Sequence, residues 1–209
     1  MKAAKKNALA EKVSKEFGRP LRVYVGYGWQ KFDEDEVAAA PKGRVVLADI
    51  FWQSLKKELV GKCEGVTKRT GVKVELSRLR ASHGQLMWPS VVKRIEKADA
   101  LVFDMAQPPE KEADLSSARN LEHIITDLNK NVLIEIGVAL AYKRPVILMC
   151  PEHLMKKVPS DLSGYLLTTY KGTIKNKVLE RVITDQPGFQ SGFMGMLKDI
   201  VRETTGIDF

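Results

Sequence analysis

Short apolar runs alternate along the chain with longer segments whose hydrophobic positions recur at helical spacing. The short β-branched or apolar runs predict strands, and the longer amphipathic segments predict helices. The predicted strands cover residues 21–25, 72–76, 99–106, 146–150 and 164–170. The predicted helices cover residues 3–17, 47–60, 89–98, 131–143, 174–183 and 192–206, and part of the segment 112–127 is a further helical candidate.

This alternation predicts βαβ units, and therefore an α/β fold with a mostly parallel five-stranded sheet covered by helices on both faces. We expect residues 21–209 to form a single α/β domain and residues 1–20 to form a basic helical extension in front of it. The long connection 105–130 is the type of segment that often serves as a functional lid. Because such sheets bind ligands at the carboxyl ends of their strands, residues at those ends are the first candidates for a site.

The net charge of +8 raises the question of nucleic-acid binding, because Lys and Arg side chains neutralise phosphates. Residues 1–22 hold seven basic and two acidic side chains, so much of the excess lies in the first helix. The sequence contains no zinc finger, recognition helix or aromatic-basic RNA motif. We therefore do not favour nucleic acid as the main partner, and expect either a solvated basic helix or affinity for anionic metabolites.

Cys63 and Cys150 lie far apart with no motif that pairs them, which indicates free thiols in a reducing cytoplasm. His83, His123 and His153 lack metal-binding spacing, so we expect neither a metal nor a cofactor. No run of about 18 apolar residues occurs, which predicts no membrane span. The basic N-terminal segment also lacks the apolar stretch of a secretory signal.

Glu135 is the only charged side chain in the apolar stretch NVLIEIGVALAY. A helix that is apolar nearly all round is buried, and a carboxylate within it is costly unless it is hydrogen-bonded or faces a cavity. With Asn129 or Asn131 as the N-cap, Glu135 lies in the early turns of the helix, beside the carboxyl end of the preceding strand. This position predicts that Glu135 lies in the crevice, near Asp104 and the turn at 26–29. The alternative is a glutamate on a solvent-facing strip of the helix.

The stretch VYVGYGW combines a strand tyrosine with two glycines and an aromatic turn. Tyr24 is either a packing residue of a buried strand or a group that orients a carboxylate. Gly26 and Gly28 do not form a dinucleotide-binding fingerprint, because the third glycine is missing and Trp29 stands in the turn. Trp29 and Trp88 are candidate surfaces for stacking on a base, and equally ordinary packing residues.

Asp104 ends an apolar strand, where this architecture often places a functional carboxylate, although a capping aspartate is as common there. Two carboxylates, a tyrosine and aromatic walls fit the cleavage of an N-glycosidic bond. The transition state is oxocarbenium-like, so one carboxylate can attack or stabilise the anomeric carbon while a second acid assists the leaving base. A tyrosine hydroxyl could align the carboxylate, and the aromatic turn could hold the base.

Three segments together resemble one protein family: VYVGYGW, ADALVFD and NVLIEIGVALAYKRPVIL. The sequence is similar to the nucleoside 2-deoxyribosyltransferase-like superfamily, which includes nucleoside deoxyribosyltransferases and nucleotide N-glycosidases and is related in fold to TIR-type NAD-cleaving domains. The resemblance covers residues 21–30 and 88–170 and is most specific in the pattern E-[IL]-G-x-A, here residues 135–139. It implies a flavodoxin-like three-layer fold and a homo-oligomer.

The resemblance also implies a role for each candidate residue. Glu135 would be the nucleophile or the ribose-binding carboxylate, Tyr24 would orient it, and Asp104 would contact the base or assist proton transfer. Family members often carry an aspartate a few residues before the glutamate, where this chain has Asn129 and Asn131. We treat both as candidate contacts to the base or sugar, and the difference argues against transfer between free deoxynucleosides. The segment PSDLSGYLLTTY is similar to segments of bacterial antiviral proteins of this kind.

Together these observations predict an N-glycosidase or (deoxy)ribosyltransferase that acts on a nucleoside, a nucleotide or NAD. The basic surplus favours a phosphorylated substrate over a bare nucleoside. The competing hypothesis is a nucleotide-sensing module that holds the same ligand without cleaving it. Release of free base during incubation with nucleotides would distinguish the two.

Overall fold

A computed structural model of the chain describes residues 2–28, 47–79, 87–107, 119–162, 164–175 and 178–208. The α-helices in these ranges are α1 (Lys2–Phe17), α2 (Leu47–Thr70), α3 (Met87–Lys97), α4 (Lys130–Ala141) and α5 (Gln186–Thr205). The strands are β1 (Leu21–Tyr27), β2 (Val74–Arg78), β3 (Ala100–Asp104), β4 (Arg119–Asn120), β5 (Val146–Pro151), β6 (Leu166–Lys175) and β7 (Val178–Ile183). Short 3₁₀ segments cover Leu121–His123, Glu152–Lys157 and Ser160–Leu162.

Five of the strands form a parallel sheet in the order β2-β1-β3-β5-β6. Numbered by their succession along the chain, these strands follow the order 2-1-3-4-5, which is that of flavodoxin-like folds. Beyond β5, β6 continues and pairs antiparallel with β7, and also with the short strand β4. The prediction of an α/β, flavodoxin-like fold with a mostly parallel sheet is therefore confirmed, with two antiparallel strands added at one side.

Helices cover the sheet on both faces, as right-handed βαβ connections require. On one face α2 packs against β2 and β7, and α1 and α5 pack against α2. On the other face α4 packs across β1, β3 and β5, with α3 beside it. None of the described helices is long and apolar enough to cross a membrane.

The predicted strands agree with the observed ones, whereas three helical predictions need correction. The helix predicted at 174–183 is wrong, because these residues belong to the end of β6 and to β7. Within β7, burial alternates from residue to residue over 179–183, the period of a strand with one face in the core. The buried position in the middle of this alternation is Arg181, whose charge masked the strand pattern in the sequence.

The helix expected to end near residue 60 continues to Thr70. In the segment 112–127, residues 119–127 form β4, a 3₁₀ turn and an irregular stretch rather than an α-helix. The rest of that segment, together with Trp29, lies outside the described residues.

Candidate functional site

The start of α4 is fixed against the carboxyl end of β3 by the chain that joins them. The backbone amide of Asn129 donates to the carbonyl of Met105 (2.8 Å), and an isolated bridge pairs Ala106 with Leu128. The Asn129 side chain caps the helix, since its Oδ1 accepts from the Val132 amide at 3.0 Å. Helix α4 therefore begins beside the edge of the sheet where ligands bind in such folds.

Of the two asparagines predicted to contact the base or sugar, Asn129 is buried and Asn131 is exposed. The side-chain amide nitrogen of Asn129 also donates to Gln107 Oε1 at 2.7 Å, so both ends of this side chain are used within the chain. Asn131 lies in the first turn of α4. Their contacts with a substrate stay predictions.

Glu135 lies in the second turn of α4 with its side chain turned towards β1. It is 8% exposed, and its Oε2 is 3.1 Å from the point that a Cβ atom on Gly26 would occupy. The same point is 2.5 Å from the ring of Phe103, which is closer than a real Cβ contact allows. A glycine is therefore needed at position 26 for the Glu135 carboxylate and the Phe103 ring to meet the backbone of β1.

The Glu135 carboxylate has no internal compensation among the described residues. No hydrogen bond or ion pair reaches it in that part of the chain, and burial alone raises its pKa from 4.5 to about 7. A carboxylate with this environment is partly protonated at neutral pH. Strongly shifted groups in a cleft are typical of functional sites, because folding alone would favour their removal.

Tyr24 lies on the same face of the sheet as the Glu135 carboxylate. Side chains two residues apart in a strand point to the same side, so Tyr24 shares the face of Gly26. Tyr24 is half-buried and packs against the core, opposite Leu101 of β3. The structure thus brings Tyr24, Gly26 and Glu135 to one face of β1.

Asp104 is fully buried and is held by three donors from its own chain. Arg181 Nη2 donates to Oδ2 at 2.5 Å, and the Tyr170 hydroxyl donates to Oδ1 at 2.8 Å. The Ala106 amide lies 3.2 Å from Oδ1. The Arg181 guanidinium also stacks over the Tyr170 ring, 4.6 Å from its centroid. The pKa of the Tyr170 hydroxyl is raised well above its usual range. Burial is the main cause, and the neighbouring negative charge of Asp104 contributes as well.

The two carboxylates lie at the same edge of the sheet but on opposite faces. Phe103 points to the side of Gly26 and Glu135, so Asp104, the next residue in β3, points to the side of α2. Asp104 lies opposite Tyr27 in the register, and Tyr27 stacks on Trp52 of α2 with ring centroids 6.2 Å apart. Asp104 and Glu135 thus lie at the same edge of the sheet, as predicted, but their side chains are on opposite faces and the sheet separates them.

The remaining aromatic and glycine candidates are placed as follows. Gly28 is buried just beyond β1, and Trp88 lies in the first turn of α3 with 45% of its surface exposed. Sequence reasoning missed Trp52, which is buried at this edge with the guanidinium of Arg78 5.0 Å above its ring. The available signal was its position in the first turns of the helix that follows β1.

Sequence reasoning also missed Arg181 and Tyr170, the partners of Asp104. Tyr170 was assigned only to a strand, and Arg181 fell in a segment predicted as helix. Arg181 is separated from Asp104 by 77 positions, so no local pattern joins them.

A cavity of about 700 Å³ lies elsewhere, between the β6–β7 hairpin and the 3₁₀ segments that precede them. Its walls include Glu122, Glu152, Lys171 and Glu180, and it borders Tyr170. Neither Glu135 nor Gly26 lines it. We place the candidate site at Glu135, because that edge carries the uncompensated carboxylate. Within the described ranges, no three acidic, histidine or cysteine side chains are grouped as metal ligands.

No family model matches the chain, and no curated protein matches it. Among solved structures, the chain is similar to a 2-desoxiribosyltransferase from Leishmania mexicana. The identity is 12%, the match covers 71% of this chain and 83% of that chain, and the TM-score is 0.35. Because identity and TM-score are this low, the function proposed below rests on the geometry of the site.

Proposed function

We propose that the protein cleaves the N-glycosidic bond of a nucleoside, a nucleotide or NAD, with Glu135 attacking or stabilising the anomeric carbon C1′. The observation that carries this proposal is the position of the Glu135 carboxylate. It is buried, lacks a partner in the described part of the chain, and meets the backbone of β1 at Gly26. This is the edge at which parallel α/β sheets bind their ligands.

The chemistry of glycosidic cleavage suits a single carboxylate held in this way. As the C–N bond breaks, positive charge develops on C1′ and the ring oxygen of the sugar. A carboxylate removed from water stabilises that charge more strongly than a solvated one, and it can form a covalent bond to C1′ as a nucleophile. The ionised form of Glu135 is the reactive one, so its fraction should set the rate near neutral pH.

Other residues would support Glu135 in this role. Tyr24, on the same face of β1, would align the carboxylate through its hydroxyl, and Gly26 lets the carboxylate and the Phe103 ring approach the backbone of β1. Trp29 and Trp88 remain proposed stacking surfaces for the base. The role proposed for Asp104, contact with the base or proton transfer to it, would require its bonds to Arg181 and Tyr170 to open.

The test is to incubate the protein with a panel of nucleosides, nucleotides and NAD, and to detect any free base that is released by chromatography. We expect the wild-type protein to release base from at least one of them, and Glu135→Gln to lower kcat by about 10³-fold or more. The control is Glu96→Gln, which changes an exposed glutamate on α3 and should leave kcat unchanged.

The pH dependence provides a second readout. The kcat/KM of the wild type should rise with pH and level off above an apparent pKa of about 7, since Glu135 must lose its proton. Turnover that persists in Glu135→Gln would overturn the assignment. Detection of a second base as acceptor of the glycosyl group would distinguish a transferase from a hydrolase.

A second candidate function, ligand binding without cleavage, is favoured by the state of Asp104. Both oxygens of this carboxylate already accept hydrogen bonds, from Arg181 and Tyr170, so neither is free to contact a leaving base. If the protein is a nucleotide sensor, nucleotides should stabilise it without release of base. A ligand at 100 times its dissociation constant would add about 2.7 kcal/mol to the free energy of unfolding.

A further inference from the structure

Within the described ranges, neither a positively charged side chain nor a hydrogen-bond donor contacts the Glu135 carboxylate. Its Oε2 atom lies 3.1 Å from the point that a Cβ atom on Gly26 would occupy, and the ring of Phe103 borders the same point. Other buried charged groups have partners: Asp104 binds Arg181, and Lys62 lies 3.4 Å from Glu58. A carboxylate that is 8% exposed and has no counter-charge in the described part of the chain destabilises the free protein. A positively charged ligand would supply the missing charge.

The described carboxylates near this edge are also unsuited to protonate a leaving base. Asp104 faces the opposite side of the sheet, and both of its carboxylate oxygens already accept hydrogen bonds, from Arg181 and from the Tyr170 hydroxyl. Asp127 precedes α4. The pKa of its carboxyl group is lowered, mainly by the hydrogen bond from the Leu128 amide and also by the hydrogen bond from Lys157. Both groups are therefore acceptors, while cleavage of a neutral glycoside normally needs a donor at the leaving nitrogen.

From these two observations we infer that the substrate is an N-glycoside whose base already carries a positive charge, such as an N-ribosylpyridinium or an N7-alkylated purine nucleoside. This inference rests on the proposed N-glycosidase function. The carboxylate of Glu135 would face C1′ on the side away from the cationic ring, and the positive charge of the N-glycoside would compensate it. The cationic ring would leave without protonation, so the second acid that the described site lacks is not required.

The reaction balances without a further reagent. The C1′–N bond breaks and its electron pair stays on the ring nitrogen, so the cationic base leaves as a neutral molecule. The Glu135 carboxylate stabilises the cationic sugar or bonds to C1′ through one oxygen. Water then forms the C1′–OH bond and releases one proton to the solvent, which regenerates the carboxylate.

Two matched pairs of compounds test the inference, each differing in the charge of the base. Nicotinamide riboside is cationic and its dihydro form is neutral; 7-methylguanosine is cationic and guanosine is neutral. Base release by the wild-type protein is divided by the spontaneous rate of the same compound, because cationic glycosides are intrinsically more labile. We expect this ratio to be about 100-fold or more higher for the cationic member, the usual contribution of a general acid that the neutral member would lack.

The same four compounds are assayed with Glu135→Gln, and each compound is also tested for thermal stabilisation of both proteins. A cationic preference in rate that disappears in Glu135→Gln supports the inference. Equal acceleration of both members, still dependent on Glu135, overturns it while the proposed function stands. If no base is released but only cationic members raise the Tm of the wild type, the glycosidase proposal fails and the cation-binding part is supported. Absence of both effects overturns both.

Discussion

Two buried carboxylates lie at the carboxyl edge of the same sheet, and they differ in the hydrogen-bond partners that surround them. Asp104 is fully buried and receives hydrogen bonds from Arg181, Tyr170 and a backbone amide. Glu135 is almost as deeply buried, but its pKa is raised to about 7 by the loss of water alone. The strands between them separate an ion pair on one face from an acid on the other that has no partner in the described part of the chain.

This difference indicates separate tasks for the two groups. The Asp104 network joins β3 to β6 and β7, two strands that do not pair with β3 in the sheet. Breaking it should therefore be measured mainly as lost stability. Glu135 contributes nothing comparable to the fold, and burial makes its ionised form unfavourable. A fold retains such a group where a ligand or a reaction needs it.

The largest effect on stability is expected for Asp104→Asn. This change removes the negative partner that Asp104 provides to the guanidinium of Arg181, a side chain that is fully buried. Breaking a buried pair from one side typically lowers the free energy of unfolding by about 3–5 kcal/mol. Urea denaturation at neutral pH measures the loss.

The double variant Asp104→Leu/Arg181→Met is the matched control for that experiment. It removes both charges at once and should recover part of the stability because apolar side chains replace the pair, although the buried Tyr170 hydroxyl still loses its acceptor. A loss below about 1 kcal/mol in Asp104→Asn, in the range of an exposed ion pair, would contradict the structural role of this network.

For Glu135→Gln we expect the free energy of unfolding to rise rather than fall. The pKa of Glu135 is higher in the folded protein than the ordinary 4.5, so the folded state keeps its proton while the unfolded state loses it. The free energy of unfolding contributed by this group therefore falls as pH rises from about 4.5 to about 7, by about 3 kcal/mol in total. The glutamine variant avoids this loss and should exceed wild-type stability above pH 7 by up to about 3 kcal/mol.

The comparison is made by measuring denaturation midpoints of both proteins at pH 5 and at pH 8. The difference between variant and wild type should be small at pH 5 and larger at pH 8. Glu96→Gln, at an exposed position on α3, should show no such trend. A variant no more stable than wild type at pH 8 would mean that the Glu135 carboxylate is compensated after all.

These two carboxylates also show how far sequence patterns reach. Glu135 was predictable because a single charge interrupts an otherwise apolar helix, a local signal that points to burial. The position of Asp104 at a strand end was equally visible. The partner of Asp104 could not be predicted, because Arg181 is 77 positions away in the sequence. The charge of Arg181 also made the alternation of buried and exposed positions in β7 hard to recognise. Sequence periodicity identifies the face of an element, whereas pairing between distant elements depends on the packing of the whole sheet.

Gly26→Ala tests the close contact between β1 and Glu135. The added Cβ would lie 2.5 Å from the Phe103 ring and 3.1 Å from Glu135 Oε2, so at least one of them must move. We expect the free energy of unfolding to fall by about 1–3 kcal/mol, as in other overpacked cores. Base release should fall as well, because the carboxylate is displaced from its position.

Gly137→Ala, two residues after Glu135 in α4, is the matched control. A Cβ at Gly137 would have no neighbour within 4 Å, and alanine favours helix over glycine by about 1 kcal/mol. This variant should be slightly more stable than wild type and unchanged in base release. If Gly26→Ala behaves in the same way, the close approach of Glu135 to β1 is wrong.

Tyr24→Phe should have the smallest effect on the fold and a selective effect on activity. Removing only the hydroxyl keeps the packing of the half-buried ring against the core, so the Tm should change little. If the hydroxyl aligns the Glu135 carboxylate in the substrate complex, its loss should lower kcat by about 10-fold, the equivalent of one hydrogen bond of about 1.4 kcal/mol, and leave KM nearly unchanged. In the double variant Tyr24→Phe/Glu135→Gln the effect should vanish, because the hydroxyl acts through the carboxylate. An additive loss would instead assign Tyr24 a separate contact with the substrate, and a lower Tm without a change in kcat would assign it to the core alone.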